Sequence, residues 1–256
     1  MDVTSVYFSA TGTTKKGVEA IGKALDENAK SIDISMYNSV DKDVFLDNQD
    51  VVVFGVPVYG GRVLESTIDR LNHFKGNNTP CVLSVTFGNR DFDDALLELS
   101  DTVKANGFVP IAAAMLIGEH TYGKIQVGRP NKNDVEEDIL FAKKVADKLK
   151  RGELEAISVP GNRPYKKGAT KGGHFTPLTS DKCVNCGQCA KLCPSGAIDK
   201  MDFSIIDSSK CISCFRCIRI CPVGAKNAEY DEYINFAKDF SEKINKVALE
   251  NKYLGV

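Results

Sequence analysis

The sequence has no tryptophan, only three histidines and almost no excess of charge of either sign. Its 256 residues include 33 lysines and arginines against 34 aspartates and glutamates, so the formal net charge is −1. Nucleic-acid binding normally needs a concentrated basic surface, so this balance argues against a nucleic-acid partner. His73, His120 and His174 are too scattered to indicate a shared site, and we expect a structural role for His120.

Long apolar runs are also absent from the sequence. No segment approaches the ~20 apolar residues of a membrane-spanning helix, so we expect no membrane insertion. The first residues, Met1 to Phe8, do not combine a basic segment with an apolar run, as a secretory signal would. We therefore expect a cytoplasmic protein.

Cysteine is scarce over most of the chain and concentrated in one short stretch. Of the nine cysteines, Cys81 is alone in the first 182 residues, and the other eight lie between positions 183 and 221. In a chain without an export signal, such clustering favours metal binding over disulfides. Cys81 lies in an apolar run typical of a buried strand, so we expect it in the core.

The eight clustered cysteines form two copies of one pattern, C-x-x-C-x-x-C-x-x-x-C-P, beginning at Cys183 and at Cys211. This is the bacterial ferredoxin run, in which three thiolates bind one four-iron, four-sulfur cluster and the fourth binds the other cluster. Paired C-x-x-C sequences also bind zinc, but zinc sites rarely need two such runs, each ending in proline. The pattern predicts two clusters, one held by Cys183, Cys186, Cys189 and Cys221 and the other by Cys211, Cys214, Cys217 and Cys193.

The first 150 residues alternate short Val- and Ile-rich runs with helix-like segments. The strand-like runs are Val3 to Phe8, Ser31 to Ser35, Val51 to Val56, Cys81 to Phe87 and Val109 to Ile117. The helix-like segments are Lys15 to Glu27, Val63 to Phe74, Asp91 to Asn106 and Asn133 to Lys150. This alternation predicts βαβ units and a parallel sheet covered on both faces.

Three loops that follow predicted strands form a candidate ligand site. The first, residues 9–14, has four hydroxyl side chains and a glycine before a helix, a composition suited to a phosphate group. It matches neither the nucleotide P-loop nor the dinucleotide fingerprint. The other two, residues 57–62 and 88–94, should emerge at the same carboxyl edge of the sheet, where open α/β sheets bind ligands. Each loop alone would also fit an ordinary strand-to-helix turn.

Together the three loops resemble the mononucleotide site of flavodoxins, most specifically at Thr11-Gly12-Thr13-Thr14 and Gly88-Asn89-Arg90. With the cysteine region included, the chain resembles fusions of a flavodoxin with a bacterial ferredoxin, sometimes called ferrodoxins. The resemblance implies a flavodoxin-like doubly wound α/β fold with a five-stranded parallel sheet, followed by a small α+β bacterial-type two-[4Fe-4S] ferredoxin domain. It also implies FMN and two [4Fe-4S] clusters as cofactors.

The resemblance further implies which residues hold FMN. The phosphate would be held by Ser9, Thr11, Gly12, Thr13 and Thr14. The ring would be flanked by Val58, Tyr59, Gly60 and Gly61. Its other face would be covered by Thr86, Phe87, Gly88, Asn89 and Arg90. Because the chain has no tryptophan, the residue that stacks on the ring stays open between Tyr59, Phe87 and Phe92.

We predict a flavodoxin-like domain over residues 1–150, a Pro- and Gly-rich linker over 151–177, a ferredoxin domain over 178–229 and a C-terminal helix over 230–256. The resemblance implies an electron-transfer protein that passes electrons between FMN, the clusters and partner redox proteins. The alternatives are a flavin-dependent reductase of a small substrate or quinone, and a redox-sensing regulator. No nicotinamide fingerprint or acid–base pair is present, so the sequence leaves open whether the chain is an enzyme by itself.

Overall fold

The computed structural model of the chain describes residues 2–168 and 171–256. The strands are β1 (Val3–Tyr7), β2 (Lys30–Asp33), β3 (Val44–Leu46), β4 (Val51–Pro57), β5 (Phe74–Gly76), β6 (Thr79–Phe87), β7 (Phe108–Ile117), β8 (Leu178–Thr179), β9 (Lys226–Asn227) and β10 (Lys252–Leu254). The helices are α1 (Thr13–Leu25), α2 (Glu65–Leu71), α3 (Ala95–Ala105), α4 (Lys132–Lys150), α5 (Gln188–Lys191), α6 (Arg216–Ile220) and α7 (Asp231–Ile244).

The Val- and Ile-rich runs of the first half form one sheet with the strand order β10-β7-β6-β4-β1-β2. The pairs from β2 to β7 are all parallel, and β10 adds an antiparallel strand beside β7. Strand β6 is buried along its whole length and contains Cys81 with no exposed surface, which confirms that this thiol is a core residue. The predicted five-stranded parallel sheet is therefore confirmed, in the order typical of flavodoxins.

Helices cover both faces of the sheet because successive strand residues point to opposite sides. Along β4, Val52 and Phe54 belong to one buried apolar cluster, which includes residues of α2 and α3. Val51 and Val53 belong to the other, which includes residues of α1 and α4. The two cores fix the strand ends, and with them the loops of the candidate site.

Two of the predicted helices are shorter than their sequence segments. Helix α2 covers Glu65–Leu71, and Phe74 already begins β5, which pairs with β3 outside the main sheet. Helix α3 begins at Ala95 rather than Asp91. Asp93 has a φ of 42°, in the left-handed region, so the chain completes a turn before the helix starts.

The Pro- and Gly-rich segment after α4 is held against the acidic start of α3. The backbone N–H groups of Asn162 and Lys166 donate to the two carboxylate oxygens of Asp94, at 2.7 and 2.6 Å. These N–H groups lower the pKa of Asp94. Arg163 pairs with Asp101 at 2.5 Å. The part of the linker around Asn162 to Lys166 is thus held on the first domain.

The cysteine-rich region forms a small α+β unit. Strands β8 and β9 pair antiparallel at its two ends, and one short helix contains the third cysteine of each run. The predicted C-terminal helix occupies Asp231–Ile244 only, and the chain then returns to the main sheet as β10. None of the helices in residues 2–168 and 171–256 has both the length and the apolar character that crossing a membrane requires.

The division into domains at 1–150, 151–177, 178–229 and 230–256 remains a prediction. Met1, in the first of these ranges, and residues 169–170, in the second, lie outside the described residues.

Candidate cofactor sites

A cleft lies at the carboxyl edge of the parallel sheet, where β1, β4 and β6 end. Its volume is about 1500 Å³, including the part that is open to solvent. Most of the residues predicted to bind FMN line this cleft. They are Ser9, Thr11, Thr13, Thr14, Val58, Tyr59, Gly60, Thr86, Phe87, Gly88 and Arg90. Folding therefore brings the three loops together, as the parallel sheet requires.

The hydroxyl-rich loop surrounds the N-terminus of α1. Ser9 Oγ accepts a hydrogen bond from the backbone N–H of Lys15 at 3.0 Å, and the hydroxyls of Thr11 and Thr13 lie 3.4 Å apart. Gly12 is the N-cap residue, with a φ of 87° that favours glycine. The first turn of a helix presents unpaired N–H groups and a partial positive charge, so this loop suits a phosphate.

Asn89 does not line the cleft, although the resemblance implied that it covers the ring. Its amide nitrogen donates to the carbonyl oxygens of Ile244 and Val247 at 2.8 and 2.7 Å. Its amide oxygen accepts from Gln126 Nε2 and from the backbone N–H of Leu249, both at 2.7 Å. With these bonds made, Asn89 holds the C-terminal segment rather than a ligand.

Gly12 and Gly61 are the other two predicted residues outside the cleft wall. Gly12 acts through its backbone, because it sets the path of the loop into α1. A Cβ atom on Gly61 would lie 2.2 Å from Asp93 Oδ2, so this glycine permits a close approach to Asp93. Both positions need glycine, but neither places a side chain near a ligand.

The candidates for stacking on the ring differ in position. Tyr59 and Phe87 line the cleft, whereas Phe92 lies outside it and packs edge-on against Phe87, with ring centroids 5.5 Å apart. Burial raises the pKa of Tyr59 well above its usual value, and Cys214 and Cys211 add to the effect. Tyr59 therefore lies between the cleft and the second cysteine run, and stacking on the ring by Tyr59 or Phe87 remains a prediction.

Sequence reasoning missed a large part of the cleft wall. The additional lining residues are Gly118, Glu119, His120, Thr121, Tyr122, Gly172, Gly173, His174, Phe175, Ser213, Glu232, Phe236 and Phe240. They come from the loop after β7, the linker, the second cysteine run and α7. The linker, α7 and the position of Ser213 carry no flavin-binding motif, and the helical spacing of Phe236 and Phe240 was the available signal for α7. The stretch Gly118-Glu119-His120 is similar to the pattern of flavodoxin–ferredoxin fusions, and that similarity was the signal for the loop after β7.

His120 is a structural part of this wall. Its Nδ1 atom accepts a hydrogen bond from the backbone N–H of Tyr122 at 2.9 Å, so a neutral ring carries its proton on Nε2. Burial lowers its pKa to about 4, and the positive charge of Arg90 contributes. The ring packs so closely on Gly88 that a Cβ atom there would lie 2.3 Å away. His120 is therefore neutral at pH 7.

Two buried hydroxyls in the cleft support a polar ligand. Within the described residues, Thr86 Oγ1 and Ser213 Oγ are buried without a hydrogen-bond partner, and both residues line the cleft. Ser213 lies beside the Tyr122 hydroxyl but completes no hydrogen bond of normal geometry with it. Leaving a buried hydroxyl unpaired is unfavourable, so a ligand with hydrogen-bonding edges is expected. FMN, with a phosphate for α1 and a polar aromatic ring, fits these residues.

The cysteines line two small cavities, each with a volume of about 330 Å³. The cavity nearer the cleft, which we call the proximal cavity, is lined by Cys193, Cys211, Cys214 and Cys217. The distal cavity is lined by Cys183, Cys186, Cys189 and Cys221. The fourth cysteine of each run thus lies with the first three of the other run, as crossed ligation of two clusters requires.

The fourth thiol of each run, Cys193 and Cys221, accepts a hydrogen bond from an equivalent backbone N–H group. The N–H of Ala197 donates to Cys193 Sγ at 3.3 Å, and the N–H of Ala225 donates to Cys221 Sγ at 3.2 Å. Within residues 2–168 and 171–256, no group of three or more His, Cys, Asp or Glu side chains converges on a single ion. A four-iron cluster does not need that convergence, because each thiolate bonds a different iron. The cavities therefore fit such clusters.

Each cavity also has a cationic side chain in its wall. In the proximal cavity, Arg216 Nη1 is buried without a hydrogen-bond partner among the described residues. In the distal cavity, Lys226 Nζ donates to Thr179 Oγ1 and to the Phe203 carbonyl oxygen, both at 2.5 Å. Cationic groups with buried N–H atoms favour an anionic occupant, and a cluster with four thiolates is anionic.

The proximal cavity and the cleft are next to each other. Ser213 lines the cleft, while its neighbours along the chain, Cys211 and Cys214, line the proximal cavity. Ile212 and Cys214 also belong to the same apolar cluster as the sheet residues on that face. The two sites therefore share one wall.

A buried arginine fixes this arrangement. Arg70 donates from Nη1 to the carbonyl oxygens of Ile34 and Ser35, at 2.9 and 3.2 Å, and from Nη2 to that of Pro194 at 2.7 Å. Pro194 directly follows Cys193, so Arg70 joins the first domain to the proximal cavity.

Comparisons with known proteins give the family of each part. A family model described as a flavodoxin domain matches residues 5–77, and one described as a 4Fe-4S dicluster domain matches residues 182–225. The chain joins a flavodoxin domain to a 4Fe-4S dicluster domain. This confirms the resemblance to flavodoxin–ferredoxin fusions, and the two domains support an electron-transfer role with flavin and 4Fe-4S cofactors.

The flavodoxin domain is also similar to solved structures. A flavodoxin from the domain Archaea is 14% identical, with 59% of this chain and 99% of that one covered and a TM-score of 0.40. Oxidised flavodoxin 1 from Bacillus cereus is 14% identical, with 57% and 98% covered and a TM-score of 0.44. The Flv1 flavodiiron core from Synechocystis is 16% identical, with 59% and 36% covered and a TM-score of 0.43. Among curated proteins, none matches the chain.

Proposed function

We propose that the protein passes electrons between FMN bound in the cleft and two [4Fe-4S] clusters, and from there to partner redox proteins. The observation that carries this proposal is the wall shared by the cleft and the proximal cavity, where Ser213 lies between Cys211 and Cys214. Electron transfer slows steeply with distance, so adjacent sites favour transfer within the chain. When bound, FMN supplies one- or two-electron chemistry, and each cluster supplies one-electron chemistry.

The residues of the chain bind and separate these cofactors. The N-terminus of α1 and its hydroxyls hold the phosphate, and the crossed cysteines hold one cluster in each cavity. The contacts of Arg70 keep the separation between the first domain and the proximal cavity constant. The protein thereby connects a two-electron carrier with one-electron carriers in a fixed order.

Partners are expected to exchange electrons at the distal cluster. Cys186 of the distal cavity is exposed, whereas Cys214 of the proximal cavity is buried. Val184 and Val223, which both line the distal cavity, have 62% and 40% of their surface exposed. An exposed apolar surface beside a redox centre suits a transient protein partner.

The cofactor content tests this proposal. Protein purified without oxygen should contain about eight irons, about eight sulfides and one FMN per chain. Reduction of the FMN should then be followed by reduction of a cluster in the same molecule, as measured by absorbance and electron paramagnetic resonance. A chain that holds four irons or fewer, or that takes up no FMN when supplied with it, would contradict the proposal.

A flavin-dependent reductase is the second candidate, because part of the cleft is open to solvent. A reductase would reduce a small quinone with the distal cluster missing, since the flavin would react directly. An electron carrier would lose most of this reaction in a Cys221→Ala variant. Turnover of the quinone by that variant at the unaltered rate would favour the reductase.

Arg216 is expected to set the reduction potential of the proximal cluster. Reduction adds a negative charge, and a guanidinium whose buried Nη1 has no other partner among the described residues stabilises that charge. In Arg216→Gln the equilibrium for reduction should fall about tenfold, which is a shift of about 59 mV to lower potential for one electron. Potentiometric titration checks this shift. Arg219→Gln, on the same helix but paired with Glu119, is the control and should change the potential less.

A further inference from the structure

We propose that α7 forms the outer wall of the FMN site and that Phe236 and Phe240 contact the bound flavin. This inference rests on the proposed function, because it requires FMN in the cleft. The residues lie beyond both matched domains, which end at positions 77 and 225. They would be binding residues supplied by a segment that carries no flavodoxin or ferredoxin motif.

The two phenylalanines place nearly parallel aromatic rings in the wall of the cleft. Their rings are stacked, with centroids 5.3 Å apart and an angle of 14° between the planes. They are four positions apart on α7 and therefore lie on one face of the helix. Both line the same cleft as Thr11 and Tyr59. Stacked aromatic rings at this position suit a flat aromatic ligand.

The apolar face of α7 is not buried in the protein core. None of the residues of α7, all of which the structure describes, is fully buried, and Phe236 has 38% of its surface exposed. Neighbouring rings extend this aromatic wall. The ring centroids of Phe240 and His120 are 5.1 Å apart, and those of Phe236 and Phe175 are 4.8 Å apart. An amphipathic helix normally covers its apolar face, and a flavin in the cleft would cover this one.

The helix is fixed in place by the flavodoxin domain rather than free to move away. Ser241 Oγ accepts a hydrogen bond from the N–H of Lys124 at 3.1 Å, and Asn245 Nδ2 donates to the Lys124 carbonyl at 2.8 Å. Asn89 holds the carbonyls at the C-terminal end of the helix, and β10 then joins the sheet. The aromatic wall is therefore already in position in the folded chain.

The three loops of the flavodoxin domain supply two aromatic side chains to the cleft wall, Tyr59 and Phe87, and the chain has no tryptophan. The rings of α7 add a further aromatic surface to that wall. With α7 in place, small soluble oxidants reach the flavin slowly, and its electrons leave mainly through the proximal cluster.

Binding of FMN to full-length variants tests the inference. FMN is removed from the anaerobically purified protein, with iron content confirming that the clusters and the fold are kept, and FMN is titrated back. The Kd should rise about tenfold or more in Phe236→Ala and in Phe240→Ala, because each ring loses its apolar contact. Ile234→Ala is the matched control, since Ile234 is on the same helix, is 50% exposed and lies outside the cleft wall. Equal affinity in all three variants would overturn the inference.

A second measurement tests the inference if the two alanine variants fold poorly. Phe236→Leu and Phe240→Leu keep apolar volume but lose the flat ring, and they should still speed the direct oxidation of reduced flavin by ferricyanide at least severalfold. Oxidation at the wild-type rate in both variants would contradict the shielding role. If the wild-type chain itself takes up no FMN, the proposed function fails. If it binds FMN but the variants match Ile234→Ala, only the role of α7 fails.

Discussion

Replacing Cys193 with alanine should remove the proximal cluster and leave the distal cluster intact, although Cys193 belongs to the first cysteine run. In the structure this thiol lies with Cys211, Cys214 and Cys217. The iron content should fall from about eight to about four per chain, and the signal of one cluster should disappear from the electron paramagnetic resonance spectrum. Electron transfer from the flavin to the remaining cluster should become at least a hundredfold slower, because the intervening centre is missing.

Two further variants make this prediction specific. Cys221→Ala should remove the distal cluster instead and preserve rapid reduction of the proximal cluster by the flavin. Cys81→Ala is the matched control, because Cys81 is buried in β6 far along the chain from both runs and should not alter the iron content. Loss of the distal cluster in Cys193→Ala, with the proximal one preserved, would refute the crossed ligation.

Replacing Gly12 with valine should abolish retention of FMN and spare the iron. No atom lies within 4 Å of a Cβ at this position, so the effect does not come from a clash. It comes from the φ of 87°, since a left-handed conformation costs about 1–2 kcal/mol for an L-residue and more for a β-branched one. The loop is expected to relax and to turn the first N–H groups of α1 away from the phosphate. Flavin and iron per chain are the quantities to measure.

Gly152 offers a control with the same backbone strain at a different place. Its φ is 71°, no atom lies within 4 Å of a Cβ there, and it follows the C-cap residue of α4. Gly152→Val should therefore lose a similar amount of stability, measured by thermal unfolding, and keep its FMN. If Gly12→Val retains FMN as well as Gly152→Val does, the loop of residues 9–14 does not bind the phosphate.

Much of the site followed from local sequence patterns because each pattern fixes local geometry. The spacing of two residues between successive cysteines sets a turn in which thiolates converge, and it is readable without any long-range contact. Likewise, a run such as Val51 to Val56 predicts a buried strand, and parallel strands have their carboxyl ends at one edge. The meeting of the three predicted loops in one cleft follows from those two facts.

The predictions that differed from the structure concern residues whose partners are far away in the chain. Asn89 fits a ring-binding loop by its position, but its amide is used by carbonyls more than a hundred residues later. Similarly, the carbonyl of Ile244, at the end of α7, accepts a hydrogen bond from that same amide. Strand β10 forms by pairing with the edge of β7. Local propensity contains no information about such contacts.

The sequence by itself determined the two cofactor chemistries, the parallel sheet and the grouping of hydroxyls around the start of α1, because these depend on spacing and periodicity over short stretches. Only the tertiary structure decided that the proximal cavity adjoins the cleft, that Arg70 joins the domains at Pro194, and that Phe236 and Phe240 enter the cleft wall. These features require segments from both ends of the chain to meet. Their positions are set by the packing of the whole molecule, which no single motif encodes.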